Sequence, residues 1–315
     1  MDNREIMVSV IMPVYNHEKY IAQAIEGVLI QKTTFRYELI IGEDCSTDGS
    51  RKIIKGYEEK YPDIIRVIYH SVNQGGPKNA RTIRMNAKGK YWAYCEGDDY
   101  WTDCNKLQKQ VDFLENNVQY SAVYHNVICV DKKGRPCKRK SINLFPLKPE
   151  GEYIFNQDML KGGQYLVGQT ASLCCRNIYQ LLGEEHIETF EDYRCNGDRR
   201  MCVVLACTGK IYFFEDAMAC YRVVWDEGSS WHARIKNKNM LLHQYLSYHA
   251  ICSIVKSIFG KDYCDVSHEK AIFLESIRCA IQKTSIMNVT VCIRVSILYW
   301  TKRMHYLYKS IFTGD

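Results

Sequence analysis

The 315-residue chain reads as an α/β protein: a mostly parallel central sheet flanked by helices, followed by a helical C-terminal extension. Three observations lead there. Short apolar runs alternate with segments of helical period from Met7 to Leu114, the cadence of strand–helix–strand units. Polar, turn-forming stretches sit where those strands end, at Pro13, at Asp44 and at Glu96 to Asp99. In parallel sheets ligands bind at the carboxyl ends of strands. From Asn239 the strand signals stop, and Leu241, Leu242, Tyr245, Leu246, Tyr248 and His249, then Ile251, Ile254, Val255 and Ile258, recur at helical spacing.

Taken in order, residues 7–12 form an apolar strand that Pro13 is expected to stop. Pro13-Val14-Tyr15-Asn16 is then a turn, and Ile21, Ala24, Ile25, Val28 and Leu29 share one helix face. A second strand over 37–42 runs into Glu43-Asp44-Cys45-Ser46-Thr47-Asp48-Gly49-Ser50, a stretch of caps and turn formers before a helix over 51–61. Residues 64–69 are a third strand, Asn73-Gln74-Gly75-Gly76-Pro77 is loop, and a helix over 78–87 leads into the strand 91–95. A helix through Leu107, Val111 and Leu114 precedes a strand over 122–130 and a hairpin-type turn at Asp131-Lys132-Lys133-Gly134. Basic loop runs to about Lys148, and less regular sequence to Asn196. Gly197-Asp198 opens a helix over 201–206; strands are predicted at 210–214 and 219–223, then a loop from Trp225 to His232.

Composition is that of an ordinary globular protein. Fifteen cysteines are many, yet no C-x-x-C pair or zinc spacing occurs and the odd count argues against a full disulfide framework. A reducing cytosol is the expected compartment. Met1 leads almost directly into a strand, so no leader is expected, and the longest apolar run, 289–300, is short for a membrane span and carries Arg294. The net charge of +6 is concentrated in residues 234–315, with 12 Lys/Arg against 5 Asp/Glu. Such a tail suits an anionic surface, and no nucleic-acid motif accompanies it.

The chemistry is concentrated in Glu96-Gly97-Asp98-Asp99, three carboxylates directly after a buried strand. Gly97 is expected to give the backbone a sharp turn. Grouped carboxylates repel one another and resist ionisation unless a cation sits among them. Hard oxygen donors at a strand end suit Mg2+ or Mn2+ shared with substrate phosphates. A solvated acidic turn is the plain alternative.

Val8-Ser9-Val10-Ile11-Met12-Pro13-Val14-Tyr15-Asn16 resembles the opening of the family-two inverting glycosyltransferases, which have the GT-A (Rossmann-like) fold. So do Glu43 to Ser50, Asn73-Gln74-Gly75 and Glu96-Gly97-Asp98-Asp99-Tyr100-Trp101, in the same order. The resemblance is tight over 8–117 and looser to about Val223. It implies a nucleotide-sugar donor, usually a UDP-sugar, and a divalent metal. Pro13, Tyr15 and Asn16 match the turn lining the nucleotide pocket, and Asp44 the acid that bonds the base edge. Lys78 or Arg81 would reach the base or phosphates, unless they are solvated helix charges. Glu96, Asp98 and Asp99 correspond to the Asp-x-Asp motif, with Asp98 the first choice as metal ligand and Asp99 the second. Asp198 matches the catalytic base position, its alternative being a helix N-cap, with Asp192 or Glu191 next in line for the base. Two departures stand out. Val224 follows Tyr221-Arg222-Val223 where many relatives place a His, a role that would move to His232, and Cys104 stands where relatives often have Pro.

The resulting expectation is a GT-A domain over 1–233, with a nucleotide-sugar half (1–117) and an acceptor half (118–233), and a basic helical extension over 234–315. The expected activity is inverting transfer to a hydroxyl of a glycan or lipid-linked saccharide, as in bacterial surface polysaccharide synthesis. The expected place is the cytoplasm, peripheral at the inner face of the membrane. The rival is a catalytically inactive sugar-nucleotide or glycan binder. A nucleotidyltransferase would need a glycine-rich basic phosphate loop, and Pro13-Val14-Tyr15-Asn16 is not one.

Overall fold

The computed structural model describes residues 5–137, 147–154, 167–191, 195, 197–224, 240–263, 270–275, 277–278, 290 and 292–301. Its first half alternates strand and helix: β1 (Ile6–Val14), α1 (Ile21–Leu29), β2 (Arg36–Glu43), α2 (Ser50–Lys60), β3 (Ile65–Tyr69), α3 (Gly76–Asn86) and β4 (Tyr91–Tyr94). β1 pairs in parallel with β2 and β4, and β2 with β3. Successive side chains of a strand point to opposite faces, and both faces here are covered. Val8, Val10, Met12, Leu39 and Ile41 pack with α1 residues such as Ile25 and Val28. Ile11, Ile40 and Trp92 pack on the other face with Ile83 of α3. That two-sided burial explains why these strands read as continuous apolar runs.

Helix α3 lies close on β2 because Gly42 has no side chain. A Cβ there would sit 2.1 Å from Asn79 Oδ1, which belongs to a carboxamide whose Nδ2 donates to Gly42 O at 2.8 Å.

The strand β1 does not stop at Pro13; it runs through it to Val14. The reason is register. The β1–β4 ladder ends at Ile11–Tyr94, and Pro13 O accepts from Gly97 N at 3.3 Å. The absent Pro13 N–H therefore faces the β4 side beyond the last β1–β4 pair, while the β1–β2 ladder continues through Pro13–Gly42 to Val14–Glu43.

The second half holds β5 (Tyr100–Trp101), α4 (Lys106–Asn116), β6 (Tyr120–Val130), β7 (Gly151–Tyr153), a 3-10 turn (Thr170–Ser172) and β8 (Cys174–Arg176). It continues with α5 (Ile178–Leu182), α6 (Glu184–Phe190), α7 (Gly197–Thr208), β9 (Lys210–Arg222) and α8 (Met240–Phe259). One nine-stranded sheet results, in the order β3-β2-β1-β4-β8-β6-β9-β5, with β7 also on β9. β8 is antiparallel to both β4 and β6, while β6 and β9 are parallel. The two strands predicted at 210–214 and 219–223 are one, β9. Its register slips opposite His125 to Val127, and the displaced Glu215 carbonyl accepts from Asn126 Nδ2 at 2.7 Å. The irregular stretch before Asn196 also contains α5, α6 and β8, too short to show a period.

Beyond the sheet, Tyr248, Ile251, Ile254 and Val255 of α8 join the core cluster that includes α7. Helical residues at 292–301 place Val295 in a small cluster with Tyr245 and Ile272. No helix among the described residues is long and apolar enough to cross a membrane.

Candidate active site

The loops after β1 and β2 are tied to each other before any ligand is considered. Asn16 sits in the left-handed region at φ 58°, which asparagine tolerates better than most residues. Its Oδ1 accepts from Thr47 N at 2.8 Å, and its N donates to Ser46 Oγ at 3.1 Å. His17 N donates to Ser50 Oγ at 2.8 Å and Glu18 N to Asp48 Oδ2 at 3.0 Å. Asp48 Oδ1 also accepts from Ser50 N at 3.0 Å, so the start of α2 is served by Asp48 and not by Asp44.

Asp44 is buried. Its Oδ1 accepts from Gln74 N at 2.7 Å and its Oδ2 from Gly75 N at 2.9 Å. The carboxylate therefore holds the loop that opens α3, and its second lone pairs are what remain for a base edge. Lys78 stands exposed in the first turn of α3, beside that loop. Arg81 is committed to Glu188 of α6. Pro13 and Tyr15 lie on the same rim, half-buried.

At the end of β4 the four residues divide by direction. Gly97 is not in the left-handed region: a Cβ there would meet His17 Nδ1 at 2.7 Å and Val14 Cγ2 at 2.9 Å. The backbone turns there as the sequence suggested, Asp99 N donating to Glu96 O at 3.0 Å across Gly97 and Asp98, and the glycine also permits close approach of the acidic stretch to the end of β1. Asp99 points inward. It is buried, with Oδ1 accepting from Arg222 N at 2.8 Å and Oδ2 from Gln169 Nε2 at 2.8 Å. Both oxygens of this second-choice metal ligand thus already tie the segment after β4 to β9 and to the Gln169 segment. Asp98 stays at the surface of the cleft, with Oδ2 3.9 Å from His17 Nε2. Its carbonyl accepts from Arg222 Nε at 2.9 Å. The Arg222 guanidinium lies 4.4 Å from the Tyr20 ring centre and 5.4 Å from that of Tyr100.

Asp198 comes from the opposite half, in the first turn of α7. Its Oδ1 accepts from Arg199 N at 2.9 Å, and a negative charge in the first turn favours the helix. Electrostatics place it with the others. Burial first, then the charges of Asp98 and Asp198, push the Glu96 carboxyl up to about 8. Burial raises Asp198 as well. The Tyr221 phenol is raised by burial and then by Asp99, Glu96, Asp98 and Asp198 together. Glu96, Asp98 and Asp198 thus lie near enough to feel one another's charge, with Asp99 buried beneath them.

Glu191, named in the sequence as a substitute base, is not available for that role. It is buried between Arg84, Arg200 and Tyr179. Asp192 and His232 lie outside the described residues. Gln169 and His17 were not singled out by sequence. His17 follows the Asn16 turn directly and was findable; Gln169 carried no local signal.

Among the described residues no three His, Cys, Asp or Glu side chains are grouped to hold a metal alone. The donor set nevertheless fits a divalent ion. Asp98 offers hard oxygens beside carboxyls that resist ionisation without a cation, and such ions are commonly held by one or two carboxylates plus phosphate oxygens.

A doubly covered, mostly parallel sheet with acidic residues at the end of β4 has the architecture of the GT-A fold. The chain belongs to glycosyl transferase family 2, whose family model matches residues 9–182. Relatives include an uncharacterized glycosyltransferase of Nostoc sp., 35% identical over 69% of this chain and 64% of that protein. The putative teichuronic acid biosynthesis glycosyltransferase TuaG of Bacillus subtilis is 36% identical over 42% of this chain and 51% of that protein. An uncharacterized protein of Mycobacterium tuberculosis is 40% identical over 40% of this chain and 36% of that protein. The matched part is thus about a third to two thirds of these relatives' length. Among solved structures, Staphylococcus aureus TarS 1–349 in complex with UDP-GlcNAc superposes with a TM-score of 0.63 at 17% identity, covering 92% of this chain and 79% of that one. A mannosyltransferase from Pyrobaculum calidifontis in complex with GDP-Man and Mn2+ gives 0.51 at 15% identity, covering 99% and 89%. These likenesses concern the fold.

Proposed function

We propose that this chain transfers a sugar, with inversion, from a UDP-sugar to a hydroxyl of a glycan or lipid-linked saccharide in bacterial surface polysaccharide synthesis. The observation that carries the reading is the acidic stretch Glu96 to Asp98 at the end of β4, beside the linked loops that bear Asn16 and Asp44, with the charge of Asp198 felt by Glu96 from the other half. The polysaccharide context is supported by relatives such as TuaG, and the UDP-sugar by the TarS complex.

In this reading Asp44, Tyr15 and the Pro13–Asn16 turn hold the nucleotide, and Lys78 faces its phosphates. Asp98 would hold Mn2+ or Mg2+, and that ion, when bound, would neutralise charge on the departing diphosphate. Asp198 takes the proton of the acceptor hydroxyl as that oxygen approaches the anomeric carbon. Glu96, kept protonated more readily than an ordinary glutamate, contributes to the donor side of the site in this reading. Positioning of donor and acceptor supplies much of the rate.

A panel of nucleotide sugars, each with Mn2+, tests the assignment by protection against thermal unfolding. A bound donor at 100 times its dissociation constant adds about 2.7 kcal/mol. Protection by UDP-sugars that vanishes on chelation is expected; protection by none of the panel sinks the reading.

We further propose that the chain works at the cytoplasmic face of the membrane through its basic tail. Ile293, Ile297 and Trp300 are 54%, 59% and 54% exposed on helical residues whose other side carries the buried Val295 and Tyr299. Arg294 stands beside them, and an apolar stripe flanked by cations suits an anionic headgroup layer. Flotation is expected with vesicles containing phosphatidylserine and not with neutral ones. Equal or absent binding counts against it.

A further inference from the structure

Glu191 gathers four hydrogen bonds from three side chains on three elements. Arg84 of α3 gives Nε to Oε1 at 2.8 Å and Nη2 to Oε2 at 2.6 Å. Arg200 of α7 gives Nη2 to Oε2 at 3.1 Å, and the Tyr179 hydroxyl of α5 donates to Oε1 at 2.6 Å. Arg84, Arg200 and Glu191 are only 3%, 2% and 2% exposed. Arg200 also lies 4.8 Å from the centre of the Phe190 ring. Tyr179 meets Trp92 of β4 edge-on, with centres 4.9 Å apart.

Two of these connections reach the site. Arg200 is two residues past Asp198, in the same opening turns of α7. Helix α3 begins beside Gly75, whose N donates to Asp44 Oδ2. The carboxylate of Glu191 therefore joins the helix that starts at the donor loop to the helix that carries the candidate base. One negative charge is shared by two buried guanidiniums, so without it they repel in a medium that screens poorly.

We propose that Glu191 is a positioning residue, which by clamping Arg84 and Arg200 fixes the first turn of α7 and with it Asp198 against the donor site. This rests on Asp198 being the base. It assigns to Glu191 no contact with substrate.

Glu191→Gln keeps the volume and removes the charge. With the UDP-sugar of the panel that supports turnover, kcat for UDP release is expected to fall about 10–100-fold, the scale of a misplacement near 1 Å. UDP affinity in Mn2+ should stay constant, because Asp44 and Asp98 are untouched. Adding Arg200→Met removes the like charge while filling the space over Phe190, and should restore most of the turnover. An unchanged kcat per folded molecule, with only the melting temperature lowered, makes Glu191 structural and overturns the proposal; so does an equal loss of UDP affinity, or no recovery in the double variant. Should Glu191→Gln fail to fold, Tyr179→Phe deletes one donor and leaves both ion pairs. Its kcat should fall several-fold at constant KM, and an unchanged kcat overturns the proposal. Asp198→Asn run alongside separates the two levels: an inactive Asp198→Asn with a normal Glu191→Gln removes only the positioning role, whereas an active Asp198→Asn removes the base beneath it.

Discussion

Replacing Asp198 by asparagine is expected to lower turnover by about 10²–10⁴-fold, the usual worth of a positioned general base, while donor and metal affinity change little. The asparagine carbonyl can still accept from Arg199 N, as Asp198 Oδ1 does, so the start of α7 keeps its bond. What is lost is the ability to take a proton, which belongs to the transition state and not to the bound ground state. If Asp198 served only the helix terminus, asparagine would replace it at almost no cost. Steady-state rates of UDP release, with the melting temperature as control, decide between them. Near-normal turnover in a well-folded Asp198→Asn protein moves the base elsewhere. The pH profile of the wild type carries a related sign. Burial raises Asp198, so it is protonated, and the rate falls, at a higher pH than an ordinary aspartate would give.

Asp98→Asn is expected to abolish the divalent-dependent share of donor binding while the fold survives. Roughly 2–5 kcal/mol is the usual cost of removing one partner of a desolvated charge pair. Without metal the variant should melt no lower than the wild type, since one of several crowded charges has gone and Glu96 ionises more readily. Calorimetric titration of UDP with and without Mn2+ measures this. An unaltered Mn2+ dependence rules Asp98 out as the ligand.

Much of this was legible in the chain itself. The first half could be read almost to the residue because its strands are parallel, buried on both faces and joined by helices of clear period. The second half was harder because its information is not local. Cys174 to Arg176 form only three residues of strand, and they become strand through antiparallel pairing with β4 and β6. The distinction between Asp98 and Asp99 is of the same kind. One residue apart in sequence, they differ because Arg222 N and Gln169 Nε2 wait on one side only. Glu191 likewise read as a spare acid, since nothing nearby in sequence announces that Arg84 will meet it. Asp198 was singled out by motif, and only the fold brings its charge within reach of Glu96.

The insertion of β8 between β4 and β6 also bears on how the chain is made. When residues up to Trp101 have left the ribosome, β4 has its β1 partner but an open far edge, and the Trp101 indole lacks its eventual acceptor, Ala171 O at 3.0 Å. Both must wait for residues 171–176. At roughly 5–20 residues per second of synthesis, the nascent half therefore spends several seconds with an unpaired strand edge and without the acceptor of the Trp101 indole. Chaperone capture during translation should accordingly peak before β8 emerges, and silent codon changes that slow the ribosome between β5 and β8 would lengthen that exposure without altering one residue of the finished protein.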